Sequence, residues 1–196
     1  MSRTIEYFHS LSSPWAFLGG RQLHEIAARH GATIVPRPIL VQTENGGILL
    51  RTRPQARQDY HALELDRWRK FLDLPLKLQP KFYPTDPTGA CLMVIAAKQA
   101  GLDAVGLSHA LLTALWADDR DTKDPDVRQA IAEEIGLDGA ALLAAAETEA
   151  VDAEWRKNKA DAIALGIFGT PSYVLDGEIF WGQDRLPFLD RALAAV

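Results

Sequence analysis

A proline at the junction between a strand-like and a helix-like stretch constrains this chain more than any other feature. Thr4-Ile5-Glu6-Tyr7-Phe8-His9 alternates as a half-buried strand does. From Trp15 through Phe17, Leu18, Leu23, Ile26 and Ala27 the apolar residues recur at helical spacing, and Gly31 closes the run. Pro14 suits the first helical turn, where a missing N–H costs nothing. The helix therefore presents free backbone N–H groups and its positive dipole end to whatever Ser13 faces. Such a place stabilises an anion: a phosphate, a carboxylate or a thiolate. Taken alone, Ser13 fits equally well as a plain N-cap.

The rest of the chain sets that junction in a larger order. A second strand is expected over Thr33 to Val41, with Pro36 and Pro38 confining it to an edge or an irregular path. Asn45-Gly46-Gly47 breaks the pattern as a loop. Helical spacing returns from Arg57 to Leu72, from Ala90 to Ala100 and from Leu107 to Trp116, with a proline-rich passage after the first of these. Asp124-Pro125 opens a short helix running to Gly136, and Ala140 to Leu165 reads as helix in one or two pieces. Asp176-Gly177 between two short apolar runs marks a hairpin, because both residues suit a primed turn. An amphipathic helix with Leu186, Phe188, Leu189, Ala192 and Leu193 closes the chain. Strand–helix–strand, helical block, hairpin–helix is an α/β order: a thioredoxin-like domain with a helical insertion. On this reading residues 1–50 and 160–196 form a discontinuous thioredoxin-like domain, and residues 51–159 the insertion.

Composition narrows the function classes. The 196 residues are 47% hydrophobic and 24% charged, with a net charge of -5 and no basic stripe interleaved with aromatics, which argues against a nucleic-acid surface. No apolar run reaches the roughly 18 residues of a membrane span. The chain enters a strand without a charged-then-apolar leader, so no secretory signal is expected. Cys91 is the single cysteine; it excludes an intramolecular disulfide and fits a reducing compartment, so the expected location is cytoplasmic.

Three strings carry a more specific signal: Ser12-Ser13-Pro14-Trp15-Ala16, Phe168-Gly169-Thr170-Pro171-Ser172 and Phe180-Trp181-Gly182-Gln183-Asp184-Arg185. Together, and over essentially the full length, they resemble the disulfide-oxidoreductase-like family of 2-hydroxychromene-2-carboxylate isomerases and kappa-class glutathione transferases. Dithiol relatives open the first helix with Cys-Pro-x-Cys, whose first thiolate the helix N-terminus stabilises. Here those positions read Ser13-Pro14-Trp15-Ala16, so no dithiol cycle is possible. The resemblance implies that a thiolate arrives from outside, as glutathione, with Ser13 donating to its sulfur. It also implies that Thr170, before a proline that relatives hold cis (Pro171), pairs with the cysteinyl amide of glutathione. Asp184 and Gln183 would hold the γ-glutamyl ammonium and carboxylate, whereas Arg185 reads as orienting Asp184 or neutralising a surface charge. An ordinary X-Pro strand start and a helix cap at Asp184 are the plainer readings of these positions.

As a function, the resemblance implies glutathione-dependent isomerisation of a 2-hydroxychromene-2-carboxylate-type intermediate of aromatic degradation, by a protein whose relatives are commonly homodimers. A kappa-like transferase or peroxidase that consumes glutathione is the alternative within enzymes. A non-catalytic thioredoxin-fold module binding a thiol or peptide is the alternative outside them. One departure stands out: relatives often carry an asparagine in the loop after the second strand, and here a glycine falls at that position, so either Asn45 serves after a small shift or the contact is absent. Arg51, Arg53 and Arg57 come next along the chain, and one of them could bind a substrate carboxylate.

Other candidates carry less. The histidines show no paired metal-ligand spacing. His9 lies near Ser13 in sequence, but no nucleophile-elbow glycines flank the serine. The acidic run from Asp118 to Asp126 lacks the central glycine and terminal glutamate of a calcium loop and reads as a helix end plus N-cap. Cys91, among Leu92, Val94 and Ile95, reads as an inert core thiol. Trp68, Trp116 and Trp155 read as packing residues.

Overall fold

A computed structural model describes residues 3–195. Strand β1 (Thr4–His9) runs parallel to β2 (Thr33–Pro38), crossing over through helix α1 (Pro14–His30). The hairpin β3 (Ser172–Leu175) and β4 (Glu178–Trp181) joins the sheet with β3 antiparallel to β1, giving the order β2-β1-β3-β4. Asp176 and Gly177 both have positive φ, at 51° and 86°, as the expected primed turn requires. Between β2 and β3 lie α2 (Gln55–Phe71), α3 (Thr88–Gln99), α4 (Ala104–Trp116), α5 (Pro125–Glu134), α6 (Gly139–Ala146) and α7 (Glu149–Leu165). Helix α8 (Leu186–Ala194) closes the chain. The fold is thioredoxin-like α/β with a helical insertion. No described helix is long and apolar enough to cross a membrane.

β2 lies at the sheet edge, where its two prolines cost no ladder bonds on the open side. It ends at Pro38 rather than at Val41. β1 ends opposite Pro38, so only one further bond, Ile39 N–H to His9 O at 2.8 Å, continues the pairing. β1 is buried on both faces. Ile5 and Tyr7 pack with Leu23, Ile26, Leu186, Leu189 and Tyr173, while Phe8 packs with Ile39, Ala162, Ile167 and Val174 on the other face. Gly139–Ala146 and Glu149–Leu165 are separate helices, and Thr148 stands at the cap of the second.

α1 has two apolar sides. One covers the sheet; the other, through Ala16, Phe17 and Leu18, joins Leu11 in a cluster with Met93, Ile95, Leu111, Leu115 and Trp116 of the insertion. The first turn of α1 is thus clamped between the sheet and the insertion helices.

Candidate active site

Ser13 caps α1. Its backbone is extended (φ −83°, ψ 118°), and Oγ accepts from Ala16 N–H at 3.3 Å. Its own proton goes to Thr170 O, also at 3.3 Å, so the cap reading and the meeting with the third strand hold together. The free donors at this helix start reduce to one. Pro14 has no N–H, Ala16 N–H is taken by Ser13 Oγ, and Phe17 N–H by Ser13 O at 3.2 Å. Trp15 N–H is the first-turn amide that finds no partner among the described residues.

The Thr170–Pro171 bond is cis, an isomer no sequence specifies. Thr170 N–H has no partner among the described residues, and its carbonyl accepts from the Ser13 hydroxyl alone. Beside it, a Cβ on Gly169 would lie 2.5 Å from Trp181 Nε1, so only glycine lets the indole close over this loop. Phe168 meets the same indole edge to face at 4.5 Å.

The third string forms a 3-10 turn, Gln183–Arg185, ahead of α8. Asp184 does not cap α8: Arg185 stands at that position with no side-chain cap bond. Asp184 instead pairs with Arg185 Nη1 at 2.6 Å, and both side chains are nearly half exposed, so the pair is loose and the carboxylate accessible. Gln183 is only 3% exposed, and its side-chain oxygen is buried without a partner, as is the Tyr173 hydroxyl. Both lie against Gly19, whose missing Cβ would sit 2.7 Å from Tyr173 Oη and 2.9 Å from Gln183 Cβ. Gln183 and Asp184 also line a groove of about 500 Å³ with Leu18, Arg21, Trp68 and Phe71.

Several other sequence candidates take structural or surface positions. His9 is fully buried; Nδ1 donates to Tyr7 O at 3.0 Å and Nε2 meets Ser108 Oγ at 3.1 Å, so it makes no pair with Ser13. Burial pulls its pKa down to about 4. Asn45 donates to Ala162, Ile163 and Ile167 carbonyls and so closes the end of α7. Gly47 is pressed onto the strand-three loop, where a Cβ would meet Phe168 O at 2.3 Å. Arg51 and Arg57 are exposed, whereas Arg53 is half-buried and donates to Ile48 O. Burial pushes the Cys91 thiol up to about 12. Asp124 caps α5 and Asp119 pairs with Lys77, as solvated ends rather than a cation loop. Trp116 is buried in the core, and Trp155 packs against it.

A family model described as the DSBA-like thioredoxin domain matches residues 4–194. The chain belongs to the DsbA-like thioredoxin family. Among its curated relatives, a 2-hydroxychromene-2-carboxylate isomerase of Sphingobium xenophagum is 30% identical over 203 residues, spanning 98% of this chain and 99% of that protein. A second, from Pseudomonas putida, is 23% identical over 198 residues, spanning 98% and 95%. A solved 2-hydroxychromene-2-carboxylate isomerase has the same fold, with a TM-score of 0.80 at 22% identity over 97% of this chain and 94% of that one. Within the DsbA-like family, then, this chain's kinship is with the isomerases.

This DsbA-like chain places no sulfur at the helix start; Cys91, its single cysteine, is buried in α3. Two features of the site are not announced by its motifs. The pair Gly19-Gly20 sits inside a helix, where each glycine costs about 1 kcal/mol; Gly19 marks the close approach of Tyr173 and Gln183, and Gly20 that of His109. Trp15 Nε1 donates to His61 Nε2 at 3.0 Å, tying α2 to the first turn of α1; nothing in the spacing of residues 15 and 61 signals it.

Proposed function

We propose that this protein is a glutathione-dependent isomerase acting on a 2-hydroxychromene-2-carboxylate-type intermediate of aromatic degradation. The observation that carries the reading is the meeting of Ser13 Oγ with Thr170 O at a helix start that holds no sulfur of its own. The isomerase relatives spanning nearly the whole chain supply the reaction class.

The residues present fit glutathione. Thr170 offers an unpaired N–H and a carbonyl held only by Ser13, an arrangement that suits a short peptide added along a strand. Gln183 has a buried oxygen lacking a donor, and Asp184 an accessible carboxylate; both are acceptors and suit the γ-glutamyl ammonium. When bound, glutathione supplies a nucleophilic thiolate that adds reversibly to a conjugated carbon and leaves unchanged, so one hard step becomes two easier ones. Ser13 turns its hydroxyl proton from Thr170 O to the sulfur, a small loss because the 3.3 Å bond is long. Trp15 N–H and the α1 dipole add positive potential and lower the thiol pKa from about 8.5 toward neutral. Asp184 and Gln183 hold the far end, so that binding there fixes the sulfur's position.

Replacement of Ser13 by glycine separates capping from catalysis. Glycine at an N-cap costs only a few tenths of a kcal/mol relative to serine, so Ser13→Gly is expected to melt close to wild type. Bound-thiol pKa, followed by thiolate absorbance, should rise by at least one unit, with turnover of 2-hydroxychromene-2-carboxylate falling at least tenfold. A Ser13→Gly variant with wild-type turnover and thiol acidity refutes the reading. Total glutathione unchanged through many turnovers marks the isomerase; net consumption marks a transferase.

A further inference from the structure

The wall facing the first turn of α1 carries a cation with no carboxylate beside it and a proton donor with no acceptor among the described residues. Trp15, two residues beyond Ser13, donates its indole N–H to His61 Nε2 at 3.0 Å, with the rings perpendicular at 5.3 Å. His61 therefore carries its own proton on Nδ1, and no described residue accepts it. Arg53 lies beside His61. Its Nε and Nη2 both donate to Ile48 O, at 3.2 and 2.9 Å, which fixes the guanidinium plane while Nη1 stays without a partner. Among the described residues no carboxylate pairs with Arg53, although most arginines of the chain have one.

The segment bearing Arg53 is also fastened to the candidate site. Gln42 N–H donates to Phe168 O at 3.3 Å, Gly47 N–H to Gln42 O at 3.0 Å, and Gly47 leaves no room for a Cβ against Phe168. Phe168 is two residues from Thr170 and Trp15 two residues from Ser13, so the loop that leads to Arg53 and the indole that holds His61 are each anchored beside the place where Ser13 and Thr170 meet. We infer that Arg53 and the Nδ1–H of His61, held in place by Trp15, form the receptor for the carboxylate of a planar, conjugated organic acid. Resting on the proposed function, the inference names the group by which the second substrate is held. The guanidinium fork suits a carboxylate, and the indole offers an aromatic face to the ring that bears it. Burial and the nearby Arg53 charge depress the His61 pKa to about 4, so the imidazole donates as a neutral group.

Chromone-2-carboxylate, a planar mimic that cannot ring-open, and its carboxamide serve as probes in calorimetry with the full chain, with and without glutathione. Wild type is expected to bind the acid at least tenfold more tightly than the amide. Arg53→Gln should weaken the acid by about tenfold to a hundredfold, as loss of a charged hydrogen-bond pair does, and leave the amide unchanged. His61→Phe should weaken the acid several-fold, and Arg53→Lys should fall between wild type and Arg53→Gln. Equal affinity of wild type for acid and amide, or an Arg53→Gln variant that keeps the preference, overturns the receptor. Wild type that prefers the acid yet ignores glutathione leaves the receptor standing and removes the glutathione reading instead.

Discussion

Ser13 has one hydroxyl proton and two uses for it. In the structure that proton rests on Thr170 O while the oxygen accepts from Ala16 N–H, so the cap survives when the proton turns elsewhere. His9, four residues away, shows how environment separates a structural from a reactive group. Its ring is stacked on Tyr7 at 4.0 Å, fully buried, and neutral down to about pH 4. The unfolded chain protonates His9 near pH 6.5, so between pH 6.5 and 4 it binds more protons than the native state, and stability rises with pH there. The contribution is complete above about pH 6.5 and is lost as pH falls toward 4, on the order of 3 kcal/mol in all. Urea midpoints at pH 7, 5.5 and 4.5 should decline in that order, and His9→Phe should reduce the slope without abolishing it, because His61 and His109 are also held neutral by burial. Carboxylates held low by cations, such as Asp119 beside Lys77, lose their contribution only further down, below about pH 4.

At the scale of elements, α1 and the loop after β2 do the positioning. Gly19 costs helix propensity and returns a close approach of β3 and the 3-10 turn, which brings Gln183 to the same end of α1 as Ser13. The loop is pinned at Gly47 and Asn45, one against Phe168 and one against the end of α7. Asn45, displaced from the position at which relatives carry an asparagine, closes a helix because three carbonyls of α7 and its exit lie within its reach. Gly47→Ala puts a methyl against two backbone oxygens, at 2.3 and 2.6 Å, neither of which can rotate away. It is expected to cost about 1–3 kcal/mol, as overpacking does, and to lower turnover by more than that loss of folded protein explains, since Thr170 shifts with Phe168. Thermal melts beside initial rates at low temperature check both; wild-type rates would show the loop does not position the site.

Across the whole molecule, the boundary between insertion and sheet is not a gap in the core. Leu11, Ala16, Phe17 and Leu18 pack in one cluster with Cys91, Met93, Leu111 and Trp116, so the insertion cannot open without exposing the buried side of α1. The shared cluster predicts a single cooperative transition. Cys91, with its thiol held protonated, should react with a thiol reagent only in step with the loss of far-UV circular dichroism in denaturant. Labelling of Cys91 well before that loss would show the insertion opening by itself.

Much of this was legible in the residue order. Alternation in β1, the Asp176-Gly177 turn, the helical spacing of the insertion and Ser13-Pro14 are local patterns, enforced by dihedral and burial rules acting over a few residues. The absence of both sulfurs around Pro14 was equally plain, and it excluded a dithiol cycle outright. Tertiary structure alone decided which groups meet: Ser13 with Thr170, Trp15 with His61, Asn45 with the end of α7, and Gly19 with Tyr173 and Gln183. Those pairs lie from tens to more than a hundred and fifty residues apart, and what joins them is the packing of α1 between a sheet and a helical block. Spacing along a chain carries no record of that, because the free energy of such contacts resides in surfaces that exist only once the core has closed.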